Sequence, residues 1–369
     1  MKKVLFLIHD LLGGGAEKVL VNLVNNMDYS KFDVTVMCIF DVGENKKSLR
    51  SEVHYKYVYK KVFKGNQHFM KLLSPESLHK KYIKDVYDIE IAYLEGPCAR
   101  IISGCRNSHT KLVAWIHCTM KSKEQIAGSF RCYNEAANCY KRFDRIACVS
   151  KDTQECFRKY CNANSNLCVF YNTNESSRIR MESMEPIEEF ADNGKFRMIG
   201  TGKLEKLKGF DRIIRIHKRL LDEGYPVETF ILGKGSEEGN LRILMKDLQV
   251  EDSVGLLGYQ SNPHKYVSKC DLFVCASFSE GFSTAATEAL IVGTPVCTVD
   301  VSGMKELLGE NNEYGIITEN NEEALYNGIK KLLDNPDLLA HYKRQAEIRG
   351  KTFSTENTVL AVEKMLGEL

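Results

Sequence analysis

Several things are missing from this chain, and each absence removes a class of protein. No segment reaches the ~18 unbroken apolar residues of a membrane span. The start, Met1-Lys2-Lys3 through Asp10, has too short an apolar run and no small-residue cleavage site for a signal peptide, so a cytoplasmic chain is expected. Charge of one sign is not in excess, with 51 Lys+Arg against 49 Asp+Glu, so the overall balance does not call for nucleic acid. No two cysteines stand in a C-x-x-C pair, and the thirteen present are an odd number in a long chain, which reads as reduced thiols. The nine histidines are scattered and no two aspartates stand two apart, so no protein-bound metal is expected. Disorder is excluded by a 43% apolar content, and 369 residues at roughly 150 per domain predict two to three domains.

What is present is a repeated pattern of short β-branched runs, Gly or polar turns and helix-period stretches. It predicts α/β layers around parallel sheets. Strands are expected at 4–8, 32–39, 89–93, 111–116, 145–149 and 167–171, then at 196–201, 229–232, 254–257, 272–276 and 295–299. Between the two sets, Asn172 to Gly194 is polar and acid-rich and reads as a linker. Residues 1–195 carry 30 basic and 23 acidic side chains and residues 196–369 carry 21 and 26, so two domains of opposite charge are expected. Much of the positive excess sits in Lys46–Lys84, interleaved with Tyr55, Tyr57, Tyr59, Phe63, Phe69 and Tyr82. A solvated surface and an interface with anionic lipid both fit that composition.

Three loops carry chemistry. After the first strand, Gly13-Gly14-Gly15 opens an apolar periodic helix, and backbone free of side chains at a helix start can seat an anion. As a dinucleotide fingerprint it fails, because the third glycine of G-x-G-x-x-G would fall on Lys18. After the strand at 196–201, Gly202-Lys203-Leu204-Glu205-Lys206-Leu207-Lys208-Gly209 places three lysines where parallel sheets bind ligands, suited to a diphosphate. After the strand at 272–276, Glu280-Gly281-Phe282-Ser283-Thr284 leads into a helix bearing Glu288. Ser283 and Thr284 can cap that helix. One carboxylate at the strand exit and one a turn or more into the helix suit two sets of neighbouring hydroxyls, as in sugar and ribose. His117 ends an apolar strand, which by itself fits a satisfied buried imidazole equally well.

With these residues in view, the chain resembles the retaining, metal-independent glycosyltransferases of family 4, whose hallmark is two glutamates separated by seven residues in an E-G-F context. Glu280 to Glu288 match it. Gly14-Gly15-Ala16-Glu17 resembles the family's glycine loop, Trp115-Ile116-His117 its active-site strand, and residues 202–211 its G-R-L-x-x-x-K-G-F-D loop. Lys203 stands where the family has arginine, keeping the charge without the bidentate fork. Leu232-Gly233-Lys234-Gly235, Gly258-Tyr259 and Gly293-Thr294-Pro295 look like later landmarks.

The resemblance implies the GT-B fold, two Rossmann-like α/β/α domains facing each other across a cleft. It places an acceptor domain at 1–174, a linker at 175–194, a nucleotide-sugar donor domain at 195–350, and a last helix, 351–369, crossing back to the first domain. It also implies roles. Glu288 would hold ribose, and Glu280 the ring hydroxyls of the transferred sugar. Lys203 and Lys208 would neutralise the diphosphate, helped by backbone N–H groups of Gly281, Phe282, Ser283 and Thr284 and of Gly14 and Gly15. Tyr259 would stand near the donor, and His117 would contact donor sugar or acceptor. No metal and no cofactor are then needed, since the nucleotide sugar is a substrate. The expected activity is transfer of a hexose or hexosamine, from UDP rather than GDP, to a glycan or polyprenyl-linked saccharide in bacterial capsule or exopolysaccharide synthesis. Residues 46–84 would then contact the inner face of the plasma membrane, and no nucleic acid is expected as partner. A catalytically silent sugar- or partner-binding protein on the same scaffold and an NAD(P)-dependent oxidoreductase are the alternatives.

Overall fold

The structure, a computed structural model, describes residues 1–12, 14–161, 166–187, 190 and 193–369, with the backbone alone at 67–69. The chain separates into two compact units, one made of residues 1–174 and 355–369, the other of 175–354.

The first unit is built on seven strands: β1 (Lys2–Ile8), β2 (Phe32–Phe40), β3 (His54–Tyr59), β4 (Ile89–Ala92), β5 (Lys111–Ile116), β6 (Arg145–Cys148) and β7 (Leu167–Val169). They lie in the order β3-β2-β1-β4-β5-β6-β7, every pair parallel. A central parallel strand is covered on both faces and therefore reads as a continuous apolar run, which is why Val4-Leu5-Phe6-Leu7-Ile8 is wholly buried. Val4 lies opposite Val34 on one side and Ile89 on the other.

The last helix, Thr355–Glu368, belongs to this unit. Val359, Val362, Met365 and Leu366 are buried. Lys2 Nζ donates to the carbonyls of Leu366 and Gly367 at 3.0 and 2.9 Å, while the Asp28 N–H donates to Glu363 at 2.5 Å.

The second unit carries β8 (Phe196–Thr201), β9 (Val227–Leu232), β10 (Val254–Gly258), β11 (Leu272–Cys275), β12 (Val296–Val299) and β13 (Ile316–Thr318), in the order β10-β9-β8-β11-β12-β13, again all parallel. Strand order reverses between β1 and β4 in one sheet and between β8 and β11 in the other. At such a point the loops leaving the carboxyl ends diverge and open a crevice.

Two stretches hold more structure than their composition suggests. The stretch 175–194 is not a plain linker: Ser176–Ser183 is a helix with Ser176 and Ile179 buried, and residues 188, 189, 191 and 192 of that stretch lie outside the described residues. The aromatics of the basic stretch 46–84 do not all face outward. The Tyr59 and Tyr82 hydroxyls are 2.8 Å apart, and Tyr59 and Phe63 pack against Phe40 with ring centroids at 5.8 and 5.9 Å. Tyr55 donates to Asp41 Oδ1 at 2.9 Å, an oxygen also held by Lys46 at 2.8 Å, and Lys56 pairs with Asp85. Lys60, Lys61 and Lys64 are exposed; the Phe69 side chain is outside the described residues. No helix among the described residues is long and apolar enough to cross a membrane.

Candidate functional site

In the second unit, β8 and β11 flank the reversal of strand order, so the loops that follow them share its crevice. The loop after β8 ends in a short 3-10 turn, Lys206–Lys208, closed by Gly209 in the left-handed conformation at φ 65°. A Cβ at Gly209 would run into the carbonyl of Ala276, just beyond β11, so only glycine lets the two loops approach this closely. The amphipathic helix Phe210–Asp222 starts there, burying Phe210, Ile213, Ile214 and Ile216.

The turn after β9 is locked against the same loop. Gly233 has φ 142°, and a Cβ on it would strike the Gly202 carbonyl; Leu204 N–H donates to the Lys234 carbonyl at 3.0 Å. The G-x-G turn at 233–235 thus acts here as a backbone support for the lysine loop.

This closeness brings Lys208 Nζ to 2.7 Å from Glu280 Oε1, across 72 residues of sequence. Ser277 Oγ donates to the same oxygen at 2.7 Å. The side chains are 29% exposed for Lys208 and 10% for Glu280, and Ser277 is buried, so the contact is partly withdrawn from water and weakly screened. Thr201, Lys208, Phe210, Ser277, Glu280 and Ser283 line one small depression. Burial pushes the neighbouring Cys275 thiol up, and it stays protonated.

The signature helix runs Thr284–Ile291, with Ser283 as its cap: Ser283 Oγ accepts from the Ala286 N–H at 3.3 Å. That bond meets the third N–H of the helix, and helix geometry leaves those of Thr284 and Ala285 with no carbonyl partner inside the helix. The Phe282 side chain is buried, its ring 5.8 Å from that of Phe353, so only the backbone at 282 is available to a ligand. Ser302 Oγ donates to the Gly281 carbonyl at 3.2 Å.

Glu288 is not among the residues of the depression. It lies further along the helix, its side chain 12% exposed, with Oε2 3.9 Å from His264 Nδ1. Lys203 is exposed and Tyr259 is 70% exposed, and neither lines the depression.

In the first unit, Gly14 caps the helix Gly15–Asn25 with φ −85°, while Gly13 is outside the described residues. Acidic groups that the sequence reading did not weigh surround this loop. Asp10 Oδ1 accepts from the Leu12 N–H at 2.9 Å and Asp10 Oδ2 is 2.6 Å from His9 Nδ1. The Glu17 carboxylate lies over Gly14, where a Cβ would strike it, so a first-turn acid already sits at the positive end of the helix. The His117 N–H donates to Glu95 at 3.0 Å and its ring lies 4.9 Å from that of Tyr93. Burial pushes His117 down to about 3, so the ring is neutral, and its buried Nε2 has no hydrogen-bond partner among the described residues.

The structure therefore joins Lys208, Glu280 and Ser283, and adds Ser277, which the sequence reading missed although it stands three residues before Glu280. His264 was missed too, because it meets Glu182 and Glu288 only through the fold. Among the described residues a single group of three possible metal ligands forms, His79, Glu90 and Cys105, with ligand atoms within 4.8 Å of one another. The 2.7 Å bond from His79 Nε2 to Glu90 Oε2 accounts for it as an ion pair toward the start of β4.

Residues 13–174 match the family described as Glycosyltransferase Family 4, and residues 184–349 match Glycosyl transferases group 1. The chain is similar over 364 residues, at 30% identity and 96% of each chain, to the N-acetylgalactosamine-N,N'-diacetylbacillosaminyl-diphospho-undecaprenol 4-alpha-N-acetylgalactosaminyltransferase of Campylobacter jejuni. It is 27% identical over 148 residues to the capsular polysaccharide biosynthesis glycosyltransferase CapM of Staphylococcus aureus, covering 40% of this chain and 39% of that protein. In fold it is similar to Anabaena HepE crystallised with UDP, with TM-score 0.80, 18% identity and all of both chains covered.

Proposed function

The chain belongs to the glycosyl transferases of group 1 and family 4, and from that premise we propose that it moves a hexose or hexosamine from a UDP-sugar, with retention and without a metal, to a polyprenyl-diphosphate-linked saccharide in bacterial surface polysaccharide assembly. The observation that carries the donor assignment is the convergence of Lys208 and Ser277 on one oxygen of Glu280 where the strand order of the second sheet reverses. The oxidoreductase alternative has neither a fingerprint nor the family in its support.

In this reading Lys208 leaves Glu280 for the donor diphosphate, and the ribose lies against Glu288. Ser277 goes on holding Glu280 as Lys208 departs, so the carboxylate keeps its aim at the sugar hydroxyls. The N–H groups of Thr284 and Ala285, with the positive end of their helix, neutralise the leaving phosphate. Lys203 and Tyr259, both exposed, would have to close over the donor to take part. In the first unit, a backbone seat at Gly14 and Gly15 requires the Glu17 carboxylate to swing aside.

Transfer with retention on one face asks for charge stabilisation and positioning, with the leaving phosphate taking the proton of the acceptor hydroxyl. A neutral His117 with an unmatched Nε2 is suited to hydrogen-bond a hydroxyl of sugar or acceptor. The acceptor class follows the Campylobacter relative, whose name specifies a diphospho-undecaprenol saccharide. The UDP donor follows the nucleotide in the HepE crystals.

The test is incubation of the purified chain with UDP- and GDP-sugars and a polyprenyl-diphosphate-linked saccharide, with and without EDTA. UDP-dependent, chelator-insensitive formation of a linkage with the donor's anomeric configuration is expected. An inverted linkage, or a rate lost to EDTA and restored by magnesium, would overturn the mechanism.

A further inference from the structure

We propose that His264 is a positioning residue for the ribose-binding carboxylate of Glu288, and that it sets how strongly the site prefers a ribonucleotide to a 2′-deoxyribonucleotide. The inference rests on the reading of Glu288 given above and extends it to a residue outside the signature.

His264 opens the short helix His264–Ser268, in the connection from β10 to β11. Its side chain is only 5% exposed and stands between two carboxylates: Nδ1 is 3.9 Å from Glu288 Oε2, and Nε2 is 3.7 Å from Glu182 Oε2. These are ion-pair distances longer than hydrogen bonds. A neutral imidazole can donate toward one such neighbour and an imidazolium toward both.

The backbone that carries the ring is tied to the helix Ser176–Ser183. The His264 N–H donates to Asn262 Oδ1 at 3.1 Å, and Asn262 Nδ2 donates to the Glu182 carbonyl at 2.8 Å. Ser268 Oγ donates to the Ser183 carbonyl at 2.9 Å. Glu182 is anchored in turn, its Oε1 accepting from Arg178 Nε at 2.6 Å. The end of the helix Ser176–Ser183 thus anchors the segment that carries the imidazole, and the imidazole stands between Glu182 and the signature glutamate.

A glutamate on a helix has three side-chain torsions, and gripping two adjacent hydroxyls requires them to be set in advance. A buried cationic or donor group beside one carboxylate oxygen removes that freedom before the nucleotide arrives. The two ring nitrogens also make separable predictions. The amide of asparagine reproduces the Nδ1 side, toward Glu288, and that of glutamine reproduces the Nε2 side, toward Glu182.

The experiment measures the Kd of UDP and of 2′-deoxy-UDP for the full chain and for the variants E288A, H264A, H264N and H264Q, with thermal unfolding of each. The unsubstituted chain is expected to prefer UDP, and E288A to erase the preference. H264A should reduce it about fivefold, the upper scale of one modest ion pair, while leaving 2′-deoxy-UDP within about twofold. H264N should keep most of the preference and H264Q should lose it. If H264A, H264N and H264Q weaken both nucleotides alike, or if H264N and H264Q do not differ, the inference is overturned, and that pair of variants decides it even if H264A does not fold. If E288A retains the preference, the ribose role of Glu288 falls first. If E288A erases it and H264A does not reduce it, only the role of His264 falls.

Discussion

At Glu280 one carboxylate oxygen receives both an ammonium and a hydroxyl, which keeps the carboxylate aimed. Glu280→Gln is expected to lower transfer by about 10²–10³-fold, the size of effect seen when one preorganised polar group is lost. Because Lys208 is partly exposed, stability should fall by less than about 1 kcal/mol. Single-turnover rates and denaturation midpoints check the two halves of that statement. The glutamate pair and the lysine were legible in the sequence as motif residues. That Lys208 touches Glu280 was not, since the contact depends on the glycine-only approach of two loops.

His79 illustrates a different residue-scale effect. Burial alone would push its ring down, but hydrogen bonds with Cys105 and the buried Glu90 outweigh burial and raise it to about 9. The folded state then holds the proton more tightly than the unfolded chain, whose histidine titrates at about 6.5. The resulting stabilisation is complete below that pH and is lost as pH rises toward 9, a change on the order of 2 kcal/mol. Melting temperatures between pH 6 and 9.5 should fall, and His79→Gln should flatten the profile.

At the scale of elements, local pattern predicted the central strands and missed others for physical reasons. β3 is an edge strand whose six residues, His54–Tyr59, are all exposed or half-buried, so its composition reads as a basic surface. β13 has three residues, too few for a period to show. The helix Ser176–Ser183 has two buried positions and lies in an acid-rich stretch; tertiary contact, not propensity, makes it a helix.

The cap on the signature helix gives another prediction. Ser283→Ala should cost about 1 kcal/mol, read from urea midpoints, with weaker UDP binding because the helix start frays. The basic stretch is testable too. Tyr59 and Tyr82 turn inward while Lys60, Lys61 and Lys64 are exposed; if the stretch meets anionic lipid, replacement of these three lysines by Glu should reduce sedimentation with phosphatidylglycerol vesicles severalfold. Unchanged sedimentation would mean these lysines are only solvated.

At the scale of the whole molecule, the first unit is built from two distant pieces of chain. Its last helix buries four apolar side chains and meets Lys2 and Asp28 near the other end of the sequence. Each such side chain is worth ~1.5–3 kcal/mol when fully buried, so a chain ending at residue 354 is expected to lose most of the stability of that unit. Thermal unfolding of the truncated chain should show the loss as a lower or absent transition, with aggregation from the uncovered apolar face.

The same arrangement governs order during synthesis. Domains usually fold as they emerge, earliest first, but here the opening half leaves the ribosome without the piece that completes its surface. The middle of the chain, residues 175–354, is whole by the time it is extruded. The part made first is expected to stay incomplete until residues 355–369 have followed residues 175–354 out of the ribosome.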